Sequence, residues 1–185
     1  MPRAGLSQAA VVDAALAIAD DAGLEAVTLA AVAERTGVAT PSLYKHVAGL
    51  PELRKLLGVR VIEEMAGQLT AAVLGRSGHD AVSALLHSYR AYVVAHPARY
   101  AAMPYDPLHD PDLAAAGGKL LEVVFAALRS FDLTSSAAVH TTRMLRAVAH
   151  GFASLEANGG FGLPEDLDET YDLIVRTVLD GLPPR

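Results

Sequence analysis

The sequence predicts an all-α protein, and three observations support this fold class. Aromatic residues make up only 5% of the chain and alanine is abundant, a balance that favours helix over strand. Apolar residues recur three and four positions apart along most of the chain. No run shows the sustained alternation of apolar and polar residues that is typical of a strand. We expect about nine helices.

Three short helices are predicted near the N-terminus. The first covers about residues 7–22 and stops at Gly23. The second begins at Thr28, a good N-cap, and ends at Gly37, which can take the positive φ that terminates a helix. The third is expected to begin at Thr40-Pro41, a capping hydroxyl followed by proline at the first helical position.

The remaining helices follow from apolar spacing and from glycine and proline stops. The segment Pro104-Tyr-Asp-Pro-Leu-His-Asp-Pro is read as a loop, and the glycine-rich residues 159–162 as a break. The final helix begins with acidic residues, which suit the positive end of the helix dipole. The first of these predicted helices begins at about residue 51 and ends near Gly75–Gly78, and the others cover about residues 79–96, 97–103, 111–130, 134–158 and 165–182.

The second and third helices must approach each other closely. Ala33 lies four residues before Gly37, where a larger side chain would force the helices apart. Val38 and Leu43 can cover that small contact. This is the helix-turn-helix arrangement, whose second helix reads the major groove of DNA. The sequence therefore predicts a DNA-binding protein.

Composition limits the other possibilities. The chain has no cysteine, which excludes disulfides and thiolate metal sites and fits the reducing cytoplasm. We find no signal peptide and no apolar run of about 20 residues, so no membrane partner is expected. Residues 1–60 hold six basic and six acidic side chains, so the net charge of −6 lies wholly in the rest of the chain. A neutral DNA-reading domain predicts few phosphate contacts.

The region over about residues 7–57 resembles the N-terminal DNA-binding domain of the TetR family, the tetracycline-repressor-like regulators. Three positions depart from the family pattern: Ala39 replaces a common serine or threonine, Val47 a phenylalanine and Leu50 a lysine. Val47 should still fill the core. The matching pieces are Leu16-Ala-Ile-Ala, Gly23-Leu24-Glu25, Thr28-Leu29, Val32-Ala33, Gly37-Val38, Leu43-Tyr44-Lys45-His46-Val47 and Leu53.

This resemblance implies which side chains contact DNA, although the same pattern could be a solvated helix face. Hydroxyl and ammonium groups on the early turns can reach base edges or phosphates, and Tyr44 and His46 are expected on phosphate oxygens. Arg3 could reach the minor groove or could belong to a frayed terminus. The predicted DNA-binding residues are Thr28, Thr40, Pro41, Ser42, Tyr44, Lys45 and His46.

The C-terminal part resembles the subgroup of the family with a Trp-His-Gly signature, through Arg146-Ala-Val-Ala-His150-Gly151-Phe152 with Ala149 in place of tryptophan. The family implies that the last two helices pair with those of a second copy in a four-helix interface. Each apolar stripe could instead belong to the intrachain core. The candidate dimer-interface residues are Ala147, Gly151, Ser154, Leu155, Tyr171, Ile174, Val175, Val178 and Leu182.

Effector-pocket candidates are polar or bulky side chains within otherwise apolar helices, and each could also be a core or interface residue. Arg143 and Arg146 could hold an anionic ligand or pair with Glu122 or Glu156. The candidate pocket residues are His87, Tyr92, His96, Tyr100, Met103, Phe125, His140, Arg143, Met144 and His150.

Rival functions find little support in the sequence. No glycine-rich phosphate loop or nucleophile elbow indicates an enzyme, and no cofactor is expected. Asp106, His109, Asp110 and Asp112 lie in the proline-rich loop and could bind a cation. A helical interaction protein also buries alanine-rich stripes, but it does not require a helix-turn-helix.

We therefore predict a cytoplasmic, homodimeric and ligand-responsive transcription factor. Residues 1–47 are expected to read a palindromic operator of double-stranded DNA. Residues 48–185 are expected to hold the small-molecule effector pocket and the dimer contact. Repression is the expected mode, and activation is the alternative.

Overall fold

A computed structural model describes residues 6–104 and 109–183, and within these ranges every element of regular secondary structure is a helix. The predicted all-α fold is confirmed. Two short 3₁₀ segments, Leu24–Ala26 and Arg129–Phe131, accompany nine α-helices in the described residues. The α-helices are α1 Gln8–Ala22, α2 Leu29–Thr36, α3 Thr40–Leu43, α4 Leu50–Val73, α5 Gly78–Ala95, α6 Pro97–Tyr100, α7 Pro111–Leu128, α8 Ser135–Ala157 and α9 Leu167–Asp180.

The chain divides into two compact units. The first unit comprises Met1–Ile62 and Ala98–Ala116, and the second comprises Glu63–Pro97 and Gly117–Arg185. Helices α4 and α7 therefore contribute residues to both units. The functional division into 1–47 and 48–185 stays a prediction. Among the described residues, no helix is long and apolar enough to cross a membrane.

Local capping chemistry explains the helices of the helix-turn-helix. The Thr28 hydroxyl accepts a hydrogen bond from the Ala31 backbone N–H at 3.1 Å, as expected of an N-cap. Gly37 has φ +69° and ψ +30°, the left-handed conformation in which a β-carbon would be strained. The N–H of Val38 bonds to the carbonyl of Ala33 at 3.0 Å and closes the end of α2. The predictions for Thr28 and Gly37 are confirmed.

The predicted start of α3 was wrong by one residue. Ala39, with extended backbone angles, is the N-cap, and its carbonyl accepts from the N–H of Ser42 at 2.8 Å. Thr40 is thus the first helical residue and its hydroxyl makes no capping bond. The N-cap position has extended backbone angles, and here Ala39 and not Thr40 occupies it.

The first unit is built around an apolar core in which Val47 fills its place as predicted, with 2% of its surface exposed. A fully buried valine or leucine stabilises a fold by about 1.5–3 kcal/mol relative to leaving it exposed. The core side chains with almost no exposure come from α1, α2, α3 and α4: Val11, Ala15, Val32, Leu43, Leu53, Leu57 and Val61.

Residues 98–104 and 109–116 are attached to the first unit by two sets of ion pairs. Arg99 binds Asp20 through two nitrogens, with Nη2 at 2.6 Å and Nε at 2.9 Å from the carboxylate. Lys55 lies 3.0 Å from Asp112 and 3.4 Å from Asp110. The hydrogen bonds that the Lys55 ammonium donates to Asp112 and Asp110 raise its pKa.

Asp110 begins α7 as a cap. Its Oδ1 accepts from the backbone N–H groups of Asp112 at 2.9 Å and Leu113 at 3.3 Å. Burial disfavours its charge, but the N–H of Leu113, the N–H of Asp112 and the Lys55 ammonium outweigh burial and lower the pKa of the Asp110 carboxyl. A cap and an ion pair therefore fix the start of α7.

In the second unit, Arg90 on α5 joins α8 and α9. Its Nε and Nη2 donate to the two carboxylate oxygens of Glu156 at 2.6 and 2.7 Å, and its Nη1 lies 2.7 Å from Asp168. The guanidinium also lies over the rings of Phe152 and Tyr171, with its carbon 5.3 and 5.0 Å from their centres. The hydrogen bonds to Glu156, above all, raise the pKa of Arg90.

Tyr171 is the largest fully buried side chain of this unit. Its hydroxyl donates to the carbonyl of Leu86 at 2.8 Å, and burial raises the pKa of the phenol. Because Tyr171 lies near the start of α9 and Leu86 lies on α5, this hydrogen bond fixes the position at which α9 packs.

Candidate nucleic-acid interface

The seven predicted DNA-binding residues all lie at the surface of the first unit. Tyr44 is 58% exposed, Thr28, Pro41 and Lys45 are also exposed, and Thr40, Ser42 and His46 are half-buried. Leu43, between them in sequence, is fully buried. The helix therefore presents a polar edge while Leu43 anchors it.

The segment after α3 is held rigidly in place. Hydrogen bonds from the N–H groups of His46 and Val47 to the carbonyl of Leu43, at 2.8 and 3.0 Å, continue the chain as a helical turn. The amide of Gln8 donates to the carbonyl of His46 at 3.0 Å and ties this turn to α1. With Leu43 and Val47 in the core, the side chains of Tyr44 and Lys45 can only point outward.

Lys45 differs from the other lysine and arginine side chains in the described part of this unit because it forms no ion pair there. It has no carboxylate partner within the described residues, so its positive charge remains available to an anion such as a phosphate. Every other basic side chain in the described part of the first unit is paired. The pairs are Arg35–Asp21 at 2.8 Å, Arg54–Glu25 at 3.8 Å, Lys55–Asp112 at 3.0 Å, Arg60–Asp13 at 2.6 Å and Arg99–Asp20 at 2.6 Å.

The structure does not gather the ten effector-pocket candidates into one place. Tyr100 and Met103 belong to the first unit and the other eight to the second. Tyr92 is 3% exposed and its hydroxyl donates to Glu64 at 3.4 Å, while His96 packs against its ring at 5.2 Å. His87 lies 3.4 Å from Asp172.

The other candidates of the second unit lie on α7 and α8. Phe125, His140, Arg143 and Met144 are exposed, and His150 is half-buried with Nδ1 3.4 Å from the Ser154 hydroxyl. Glu156, one of the two carboxylates suggested as partners for Arg143 or Arg146, pairs with Arg90.

The dimer-interface candidates separate into two groups. Ala147 and Leu155 are exposed, and Gly151, Ser154 and Ile174 are half-buried, so these five can contact a second copy. The remaining four lie in the core of their own chain, which is the alternative that the sequence left open. They are Tyr171, Val175, Val178 and Leu182, with exposed fractions of 8% or less. A side chain covered by its own chain is not available to a partner.

Two further sequence predictions concern Arg3 near the N-terminus and a cation site in the loop before α7. Arg3 and Asp106 lie outside the described residues. In the part of the chain that the structure describes, no three histidine, aspartate or glutamate side chains converge as metal ligands. Asp110 and Asp112 neutralise Lys55 instead.

Sequence reasoning missed a cleft between α4 and α7 in the second unit, which none of the ten pocket candidates lines. Its side chains looked unremarkable in sequence because most are alanine, glycine or solvated charges. The signal that could have found it is Gly67, an exposed glycine in the middle of a long helix.

A solvent-facing recognition segment on a rigid α2–turn–α3 scaffold defines a DNA-binding protein of the helix-turn-helix class. Family models match both parts of the chain: "Bacterial regulatory proteins, tetR family" over residues 11–46 and "Tetracyclin repressor-like, C-terminal domain" over residues 82–178. The chain belongs to the TetR family of transcriptional regulators, which confirms the resemblance seen in the sequence. Its placement in the Trp-His-Gly subgroup stays a prediction.

A relative and two solved structures are similar to this chain over nearly its full length. The uncharacterized HTH-type transcriptional regulator YobS of Bacillus subtilis is 36% identical over 182 residues, covering 98% of this chain and 95% of YobS. A Rhodococcus protein of unknown function has the same fold, with a TM-score of 0.83, 22% identity and all of both chains covered. The TetR family protein ActR of Streptomyces coelicolor, solved in complex with (S)-DNPA, has a TM-score of 0.70 at 20% identity, with 96% of this chain and 97% of ActR covered.

Proposed function

We propose that this regulator is a homodimeric repressor that binds a palindromic operator and is released by a small organic effector. Members of the family bind operators, typically as dimers, and respond to small molecules. The observation that carries the proposal is the outward-facing segment from Thr40 to His46, in which Lys45 has no carboxylate partner among the described residues. Its place of action is the cytoplasm, where the bacterial chromosome lies.

A palindromic operator requires two reading helices, and a dimer supplies them. A two-fold protein presents them to half-sites about one helical turn, roughly 34–36 Å, apart. Exposed apolar side chains on α8 and α9 support the pairing of these helices with a second copy: Met144 is 39% exposed, Leu155 50% and Leu173 58%. Apolar side chains grouped on paired helices are typical of subunit interfaces.

Selection of bound sites from a pool of random DNA tests this function. We expect the recovered sites to share a palindrome whose half-sites are one helical turn apart, because two identical readers are held at a fixed spacing. The genes that this protein regulates can then be sought near such sites. Recovery of unrelated sequences, or of no DNA, would contradict the proposal.

Lys45→Gln is expected to weaken operator binding uniformly across DNA sequences and to flatten its salt dependence. Each phosphate contact contributes about 0.9 to the slope of log K against log salt, so a dimer should lose about two. Titrations of a fluorescent operator between low and moderate salt measure the slope. Arg35→Gln is the matched control, because Arg35 pairs with Asp21. An unchanged slope for Lys45→Gln would remove Lys45 from the phosphate contacts.

A further inference from the structure

A cleft of about 560 Å³ lies in the second unit, along one face of α4 and one face of α7. This volume is within the range of roughly 300–1,000 Å³ that is usual for small-molecule sites. The lining residues recur at helical spacing on each helix. They are Glu63, Ala66, Gly67, Thr70 and Val73 on α4, with Lys119, Glu122, Val123, Ala126 and Arg129 on and just after α7.

The middle of the cleft is lined by apolar residues whose side chains are small or absent. Ala66 and Gly67 face Val123 and Ala126 along the cleft, and a β-carbon added at Gly67 would meet no atom within 4 Å. The Thr70 hydroxyl donates to the carbonyl of Ala66 at 2.7 Å, so it offers a ligand only its oxygen lone pairs. From Glu63 to Val73 the helix rises about 15 Å. These walls fit a flat or slender apolar body.

The two ends of the cleft differ in charge. At one end Glu63 and Lys119 form an ion pair at 2.7 Å, and Glu122, one turn beyond Lys119, adds a second carboxylate. At the other end Arg129 is exposed and has no carboxylate partner among the described residues. Glu122 lies seven residues before Arg129, about 10 Å along the helix axis, which is too far for a hydrogen bond. The Arg129 end is therefore the one that attracts an anion.

We propose that this cleft binds an apolar organic anion, with its carboxylate or similar group on Arg129 and its apolar body against Gly67 and Val123. The planar guanidinium offers paired donors that match such a group. Treating this ligand as the effector rests on the proposed function. The site fits that role because α4, which forms one wall, also supplies residues up to Ile62 to the unit that carries the recognition helix.

Two fluorescent probes with the same apolar body test the site on the full chain without DNA. 1-Anilinonaphthalene-8-sulfonate carries one anionic group, and N-phenyl-1-naphthylamine lacks it. We expect the wild-type protein to bind both and to prefer the sulfonate. Arg129→Gln should weaken binding of the sulfonate about tenfold, the scale of a lost charged hydrogen bond, and leave the neutral probe unchanged.

Gly67→Leu tests the location. The added side chain enters open space, so the fold should persist, but it fills the middle of the cleft and should abolish binding of both probes. Ala71→Leu is the matched control, since Ala71 is exposed on the same helix and does not line the cleft. Helix content by circular dichroism shows that each variant is folded.

The outcomes separate the site from the regulatory function. Normal probe binding by Gly67→Leu, or no probe binding by the wild-type protein, would overturn the proposal that this cleft is a ligand-binding site. Equal weakening of both probes by Arg129→Gln would overturn the anion assignment. Operator binding is measured separately, so a protein that binds the sulfonate at this cleft but binds no operator would contradict the proposed function and leave the site standing.

Discussion

Tyr44→Ala is expected to abolish operator binding while the dimer and the helix content stay intact. Tyr44 is 58% exposed and lies at the outer edge of the recognition segment, so its loss removes little from the core. A hydrogen bond to a charged phosphate contributes about 1–3 kcal/mol in each subunit. Two copies in a dimer therefore give about 2–6 kcal/mol, which is roughly a 30-fold to more than 10⁴-fold loss of affinity. Fluorescence anisotropy with a selected operator measures this change.

Two further variants show what Tyr44 supplies. Tyr44→Phe keeps the ring and removes the hydroxyl, so it should lose affinity to the extent that a hydrogen bond to a phosphate carries the contact. Leu163→Ala is a control at a site that is 80% exposed and lies between α8 and α9. If Tyr44→Ala bound the operator as tightly as the wild-type protein, the assigned reading segment would be wrong.

Local chemistry made the helix-turn-helix predictable from the sequence. Thr28 and Gly37 act through hydrogen bonds and backbone angles within a few residues of themselves, and the structure has both as predicted. The start of α3 was missed by one residue because Ala39, whose side chain cannot accept a hydrogen bond, holds the extended N-cap conformation and no side-chain cap marks the start of the helix. Side-chain type alone does not reveal that choice.

The C-terminal part was less predictable because an apolar stripe has the same pattern whether it meets its own chain or a partner. Tyr171 and Val175 were assigned with Ile174 to one interface, yet the first two are buried within the chain and Ile174 is only half-buried. The difference depends on the rotation of α9 against α5 and α8. The hydrogen bond from Tyr171 to Leu86 spans 85 residues and helps to fix that rotation.

The effector candidates illustrate the same limit. They were chosen as polar groups in apolar helices, but such groups often have partners distant in sequence, as Tyr92 has in Glu64 and His87 in Asp172. The α4–α7 cleft depends instead on the packing of residues about 56 positions apart, as in the pair of Glu63 and Lys119. Periodicity in a single helix carries no information about which other helix it faces.

Arg90→Met is expected to cause a large loss of stability in the second unit. The side chains of Arg90 and Glu156 are only 12% and 15% exposed, so removal of the cation leaves a carboxylate with little access to water. Breaking a buried pair in this way costs about 3–5 kcal/mol. For a chain of this size the melting temperature should fall by roughly 6–20 °C, measured by circular dichroism or calorimetry.

Two controls identify the unpaired carboxylate as the cause. Adding Glu156→Met to Arg90→Met should restore much of the lost stability, because two apolar side chains can replace a buried ion pair at little cost. Arg76→Met breaks the exposed pair of Arg76 with Asp80 and should change stability by about 1 kcal/mol or less. If the double variant were as unstable as Arg90→Met, the contacts of the guanidinium with the rings of Phe152 and Tyr171, and not its ion pair with Glu156, would hold α5, α8 and α9 together.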